Sequence, residues 1–284
     1  MADDLFGVHC SIAGGIHNAL LEAERLHTVV AQIFTKNQKQ WKTKPLEAAA
    51  ISVWAAERDR LKFAHTVSHD SYLINLASTD DVLWHKSIDL FVEELTRCVL
   101  LGIPYLITHP GAHLGSGEAA GLKRVAEAMD LVHEQVDGSV ITCLEITAGQ
   151  GTSLGYKLEH LAEIIARVDA PERLGVCLDT AHLFAAGYDF RGRKYTQFRK
   201  QLDATLGVDG VKVLHLNDSK KPLGSRVDRH EHIGLGEIGL DGFRPFVRDK
   251  AFKKIPKILE TAKENSPDGR PWDAVNLEVL RSLL

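Results

Sequence analysis

Eight short apolar, β-rich runs punctuate the chain, at 6–10, 29–34, 63–67, 105–108, 140–146, 174–178, 211–216 and 255–259. Continuous apolar runs of this length suit parallel strands buried on both faces, because neither face meets water. Helix-period segments lie between them. In 82–101, Trp84, Ile88, Phe91, Leu95 and Cys98 fall at spacings of four, three, four and three, and Leu122, Val125, Met129, Val132 and Val136 repeat the pattern in 118–136. Strands alternating with amphipathic helices predict βαβ units and a parallel sheet. Eight runs suit a closed α/β barrel, with an open doubly wound sheet as the alternative. No low-complexity tract or Pro/Ser-rich linker divides residues 1–284, so a single domain is the simplest organisation.

The polar residues at the ends of these runs are His69, His109, Glu145, Asp179, His215 and Glu260, at intervals of 40, 36, 34, 36 and 45 residues. Each interval is about one strand-helix repeat, and in a barrel equivalent strand ends converge on one face. His182, Asp228 and His230 follow in the adjoining loops. One histidine in a barrel strand is ordinarily a hydrogen-bonded core residue, but six ionisable side chains at successive strand ends are too costly to bury without metal or extensive hydrogen bonding. Nine imidazole and carboxylate donors exceed the needs of one ion and suit two or three clustered divalent ions. Such clusters favour phosphoryl chemistry, since paired ions can activate water and stabilise both oxygens of a displacement. His9 and His113 stand outside this set, and His17, His27, His65, His85, His133 and His160 read as surface or capping residues.

Composition narrows the partners. The 34 Lys+Arg against 38 Asp+Glu leave a net charge of −4, so no overall field draws this chain to nucleic acid, and any polyanion site is local. Basic residues do collect in two loops, with Lys36, Lys39, Lys42 and Lys44 beside Trp41 in 35–44, and Lys220, Lys221, Arg226 and Arg229 in 219–229. Such loops around a metal face are a pattern of local phosphate-backbone binding. Four separated cysteines without a Cys-x-x-Cys pair argue against a disulfide scaffold or a thiolate zinc site and read as buried thiols. The start lacks a secretory signal pattern and no stretch suits a membrane span, so a soluble cytoplasmic protein is expected.

The motifs Phe34-Thr35-Lys36-Asn37-Gln38, His69-Asp70-Ser71-Tyr72, His109-Pro110-Gly111, Leu144-Glu145 with 148–151, Cys177-Leu178-Asp179 with His182 and 186–189, and His215 to Lys220 with Asp228-Arg229-His230 occur in order over most of the chain. Together they closely resemble endonuclease IV, the zinc-dependent apurinic/apyrimidinic endonuclease family of base-excision repair. The resemblance implies a TIM (β/α)8 barrel with three zinc ions on its carboxyl face, cutting duplex DNA 5′ to abasic sites to leave a 3′-hydroxyl and 5′-deoxyribose phosphate, and removing 3′-blocking groups. His69 and His109 would hold one zinc, with Glu145 bridging to a second that also takes Asp179, His215 and Glu260. The third would take His182, Asp228 and His230. Glu145 would orient the attacking water. Lys36, Asn37, Gln38, Lys39, Tyr72, Lys220 and Arg229 would contact DNA, Tyr72 as a wedge at the lesion. Lys39 departs from an arginine of the family pattern and lacks its stacking plane. A monomer is expected. A metal-dependent sugar isomerase or epimerase on the same barrel would leave five of the nine donors unexplained, and a lesion-binding protein without catalysis would not need them intact.

Overall fold

In the computed structural model, which describes residues 4–63, 65–136, 138 and 140–284, the strands β1 (Phe6–His9), β2 (Val30–Phe34), β3 (His65–His69), β4 (Tyr105–Thr108), β5 (Ile141–Glu145), β6 (Leu174–Asp179), β7 (Val211–His215) and β10 (Lys257–Leu259) form a closed parallel barrel. β1 closes it by pairing with both β2 and β10, with Gly7 opposite Ile258 and His9 opposite Gln32. The helices α1 (Asn18–Arg25), α2 (Ala48–Arg60), α3 (Asp81–Leu101), α4 (Glu118–Gln135), α5 (Leu158–Arg167), α6 (Thr180–Ala186), α7 (Tyr195–Leu206), α8 (Leu240–Arg248) and α9 (Trp272–Ser282) follow the strands. The fold is a (β/α)8 TIM barrel. A small antiparallel pair, β8 (Asp218–Ser219) with β9 (His230–Glu231), lies within the loop after β7.

Local sequence sets the element ends. Asp80 caps α3 by accepting from Val82 N and Leu83 N at 2.9 and 3.1 Å, and Gly102 ends the helix at φ +63°. Trp84, Ile88, Phe91, Leu95 and Cys98 all face the core, as their spacing predicts. The predicted run 63–67 starts two residues early, because pairing with β2 begins at His65 and continues to His69. His69 is therefore the last residue of β3 rather than a loop residue.

Two apolar layers divide the core. The larger lies between strands and helices and contains Phe6, Val8, Ala31, Ile33, Leu106, Leu144, Val176 and Leu214. The smaller fills the barrel itself with Val30, Val67, Ile107, Cys143, Cys177, Val213 and Ile258, one from each of seven strands. The eighth strand contributes Gly7, where a Cβ would collide with the Val30 carbonyl oxygen and stand 2.6 Å from Val30 Cγ1. Gly7 is thus required by close approach. All four cysteines are free and buried. Gly7→Ala should lower unfolding stability by about 1–3 kcal/mol through overpacking, read from the urea midpoint; an unchanged midpoint would show that Val30 yields.

Candidate metal centre and active site

Side chains two positions apart on a strand face the same way. The position two residues after each member of the inner apolar layer therefore opens at the carboxyl mouth, and it is occupied by His9, Gln32, His69, His109, Glu145, Asp179, His215 and Glu260, one per strand. A polar ring sits on an apolar floor. Glu145 is buried at its centre, with Oε1 3.0 Å from His215 Nδ1 and 3.2 Å from His182 Nδ1, and Oε2 3.1 Å from His69 Nε2 and 3.2 Å from His109 Nε2.

The electrostatics follow from this crowding. Burial opposes the charge on Glu145, yet the adjoining His215 and His109 hold its carboxyl well below the usual range. Burial likewise opposes protonation of His69, but Asp70 and Glu145 raise it well above an ordinary histidine. For His182 the burial penalty is overcome by Asp179 and Asp228, and for His215 by Glu260 and Glu145. His230 is raised to about 9, Asp179 and Asp228 outweighing its burial. Without metal, protons supply the positive charge that these carboxylates require.

The imidazoles are oriented from outside the ring. Because a carbonyl can only accept, His69 Nδ1–H donates to Asp70 O at 3.0 Å, His182 Nδ1–H to Ile146 O at 2.9 Å and His230 Nδ1–H to Glu260 O at 3.2 Å. Each leaves Nε2 as the donor atom for a metal. Asp179 divides its oxygens: Oδ1 caps α6 by accepting from His182 N at 2.8 Å, while Oδ2 accepts from Asn217 Nδ2 at 2.6 Å. Asn217 Oδ1 also accepts from Glu260 N at 2.7 Å. Asp218 accepts from the backbone amides of Ser219, Gly234, Gly236 and Ile238, pinning the loop that carries Asp228 and His230. Gln32, Asn217 and Asp218 fall outside the expected donor set; the signal for Gln32 is an amide inside an otherwise apolar strand.

All nine expected donors converge on this mouth. His69, His109 and Glu145 form one grouping, and Glu145, Asp179, His215 and Glu260 another, with donor atoms inside each grouping within 4.8 Å of one another. At the third, Asp179 stands beside the expected residues. Asp179 groups with His182 and His230, while Asp228 touches the same two rings, its oxygens 3.2 Å from His182 Nε2 and 3.3 Å from His230 Nε2. Cys177 lies beneath Glu145 and His215, and burial pushes its thiol well above its ordinary value, which keeps it protonated. His232, the neighbouring histidine, instead stacks on Trp272 at 4.0 Å.

The loop residues divide. Tyr72 is 72% exposed and stands edge-on to Phe34 at 5.6 Å, bordering both a cleft of about 620 Å³ and an adjoining cavity of about 250 Å³. Arg229 lines the larger cleft, and Asn37, Lys39 and Lys220 are exposed. Gln38 is half-buried; its carbonyl accepts from Ser71 Oγ at 3.0 Å, tying the first loop to the one bearing Tyr72. Lys36 is a correction. Its side chain is 1% exposed, with Nζ donating to Gln40 O at 2.8 Å and lying 3.8 Å from Glu94, so it braces the loop from within instead of reaching a phosphate. Trp41, the loop's aromatic, lies under Lys86 Nζ and packs on the core. His113 is also structural, its Nδ1 accepting from Gly115 N and Gly117 N, and His160, expected at the surface, is buried against Glu118.

The donor set fits zinc. Two ligands about 2.0–2.1 Å from a tetrahedral zinc stand about 3.3 Å apart, close to the 3.0–3.3 Å separations of Glu145 from His69, His109 and His215 and of Asp228 from His182 Nε2 and His230 Nε2. His230 Nε2 is moreover buried between Asp228 Oδ1 at 3.3 Å and Asp179 Oδ2 at 3.6 Å without a well-formed hydrogen bond to either. The chain matches the family model of xylose isomerase-like TIM barrels over residues 27–283. Barrel and donor array define a metal-dependent hydrolase. The chain is 49% identical over 281 residues to the probable endonuclease 4 of Chloroflexus aggregans, covering 98% of this chain and 97% of that one. It is 46% identical to that of Citrifermentans bemidjiense over 99% of both. The crystal structure of endonuclease IV from Thermus thermophilus aligns with a TM-score of 0.85 at 35% identity, over 98% of each chain. The chain belongs to the endonuclease IV family.

Metal ligands must be deprotonated, and His69, His182 and His215 hold their protons more tightly than ordinary imidazoles, while His230, at about 9, is protonated at neutral pH. Zinc loading of metal-free protein should therefore release protons, and apparent affinity should rise with pH up to about 9, the value for His230. Calorimetric zinc titrations in buffers of different ionisation enthalpy test this; absence of proton release at pH 7 would contradict it.

Proposed function

We propose that this protein hydrolyses the phosphodiester 5′ to abasic sites in duplex DNA, leaving a 3′-hydroxyl and a 5′-deoxyribose phosphate, and clears blocked 3′ ends, with three zinc ions per chain. The carrying observation is the Glu145 carboxylate shared by four imidazoles at the mouth of a barrel belonging to this family. His69, His109 and Glu145 would hold the first ion. Glu145, Asp179, His215 and Glu260 would hold the second, and His182, Asp228 and His230 the third, with Asp179 close enough to join it. When bound, the ions supply Lewis-acid polarisation of the phosphodiester and bring water near its ionisation range at neutral pH.

The protein's own groups do the rest. Glu145, fixed on both oxygens at the centre of the ring, would orient the attacking water. Tyr72, projecting from the rim against Phe34, supplies an aromatic face for the gap left by a missing base, where unstacking costs least. Asn37, Lys39, Lys220 and Arg229 give the acidic chain a local set of polar and cationic contacts for the DNA backbone, so binding should weaken with salt. Gln38 supports this face through its link to Ser71. All nine donors come from one chain, which supports action as a monomer. Among the described residues no helix is long and apolar enough to cross a membrane.

A duplex carrying one tetrahydrofuran abasic analogue, which cannot break by β-elimination, should yield a 3′-hydroxyl fragment cut 5′ to the lesion. No cleavage by folded, zinc-replete protein would overturn the reading. Glu260→Gln should lower kcat by more than about 100-fold with the fold retained by circular dichroism; full activity in the zinc-loaded variant would remove Glu260 from the ligand set. Tyr72→Ala should reduce discrimination between abasic and intact duplex about tenfold at unchanged zinc content. Equal discrimination by the two proteins would sink the wedge role.

A further inference from the structure

Gln32 is the one member of the ring of eight that is neither acidic nor an imidazole, and it has no exposed surface. It is nevertheless fully satisfied. Its Oε1 accepts from His215 Nε2–H at 2.7 Å, and its Nε2 donates to Glu260 Oε1 at 2.5 Å and to His9 Nδ1 at 3.0 Å. These three contacts form a consistent set. An amide oxygen can only accept and an amide nitrogen only donate, so the Glu260 carboxylate, itself an acceptor, fixes the orientation of the amide and with it the direction of the two histidine bonds. Reversing the amide would set a carbonyl oxygen against the Glu260 carboxylate.

The consequences reach two histidines. With metal bound, His215 keeps its proton on Nε2, and Nδ1, which stands 3.0 Å from Glu145 Oε1 and 3.1 Å from Glu260 Oε2 inside the second donor grouping, is the atom left to ligate. Of the other ligating rings, His69, His182 and His230 use backbone carbonyls for this purpose. His215 has the side chain of a different strand. His9, meanwhile, accepts on Nδ1 and so keeps its proton on Nε2, in a ring that packs 4.2 Å from Phe34 and lines the 250 Å³ cavity beside His69, His109 and Glu260.

We propose that Gln32 is a positioning residue of the metal centre, whose amide holds His215 as an Nδ1 ligand, orients Glu260, and presents His9 to the cavity as an Nε2–H donor suited to a phosphate oxygen. The proposal rests on the zinc reading above. Partners outside the ligand set that fix the tautomer of a ligating histidine typically change metal affinity about 10–100-fold.

The test compares native protein, Gln32→Met and Gln32→Glu by chelator competition for zinc and by 15N NMR of the imidazoles. Gln32→Met, which removes acceptor and donors at similar length, should bind zinc about 10–100-fold more weakly and release His9 from a single tautomer. Gln32→Glu keeps the oxygen acceptor for His215 and loses both donors, so it should change the His9 signature while losing less zinc affinity than Gln32→Met. It also keeps the test open if Gln32→Met does not fold. Folded variants with zinc affinity within about twofold of native and unchanged tautomers would overturn the role of Gln32 alone. Failure of the native protein to bind zinc would overturn both this role and the zinc reading.

Discussion

A carboxylate held by four imidazoles at the top of an apolar barrel is the interaction on which the rest of this molecule turns. Isolated, the buried charge of Glu145 would carry a prohibitive desolvation cost. Surrounded by His69, His109, His182 and His215, it becomes the point through which four strand ends or their adjoining helix are coupled. Breaking such an arrangement by removing one partner typically costs about 3–5 kcal/mol, because the other charge remains buried. The ring is therefore a cooperative unit, and positive charge at its centre, whether protons or metal, is a condition of its compactness.

Around that unit, hydrogen bonds made outside the ring set the positions of the groups at the mouth. Asp179 caps a helix with one oxygen and faces the centre with the other, so its contribution to the site is inseparable from the start of α6. Asp218 spends its carboxylate on four backbone amides of the long loop after β7. On the opposite rim, Arg97 donates to Thr35 O and Lys44 O, and Thr35 donates to Glu94 at 2.6 Å. Burial pushes Glu94 up to about 7. These anchors leave loop segments exposed at their tips and fixed at their roots, the combination a DNA-facing surface needs.

Much of this is legible in the sequence because strand period and residue chemistry coincide. An apolar residue followed two positions later by His, Asp or Glu marks both the inward face and the mouth, as in Cys143 and Glu145 or Val213 and His215. Apolarity reports burial rather than pairing, which is why the apolar run reaches back to Phe63 although the hydrogen bonding of β3 starts at His65. Lys36 misleads because a positive charge in a loop carries no sign of direction, and only the fold reveals Glu94 beneath it. Gln32 escapes for a different reason. Two of its three partners lie 183 and 228 positions away, and an amide inside an apolar strand marks the position without naming them.

The floor beneath the ring has a consequence for how such a protein can change. Gly7, Val30, Val67, Ile107, Cys143, Cys177, Val213 and Ile258 separate the chemistry at one end of the barrel from the turns at the other. Alterations below that floor meet the donor atoms across an apolar layer, so their main effect is on stability. Alterations one step above it rewrite reactivity without disturbing the backbone pairing. The two ends of one barrel thus answer to separate demands, and inheritance can experiment with one while holding the other still.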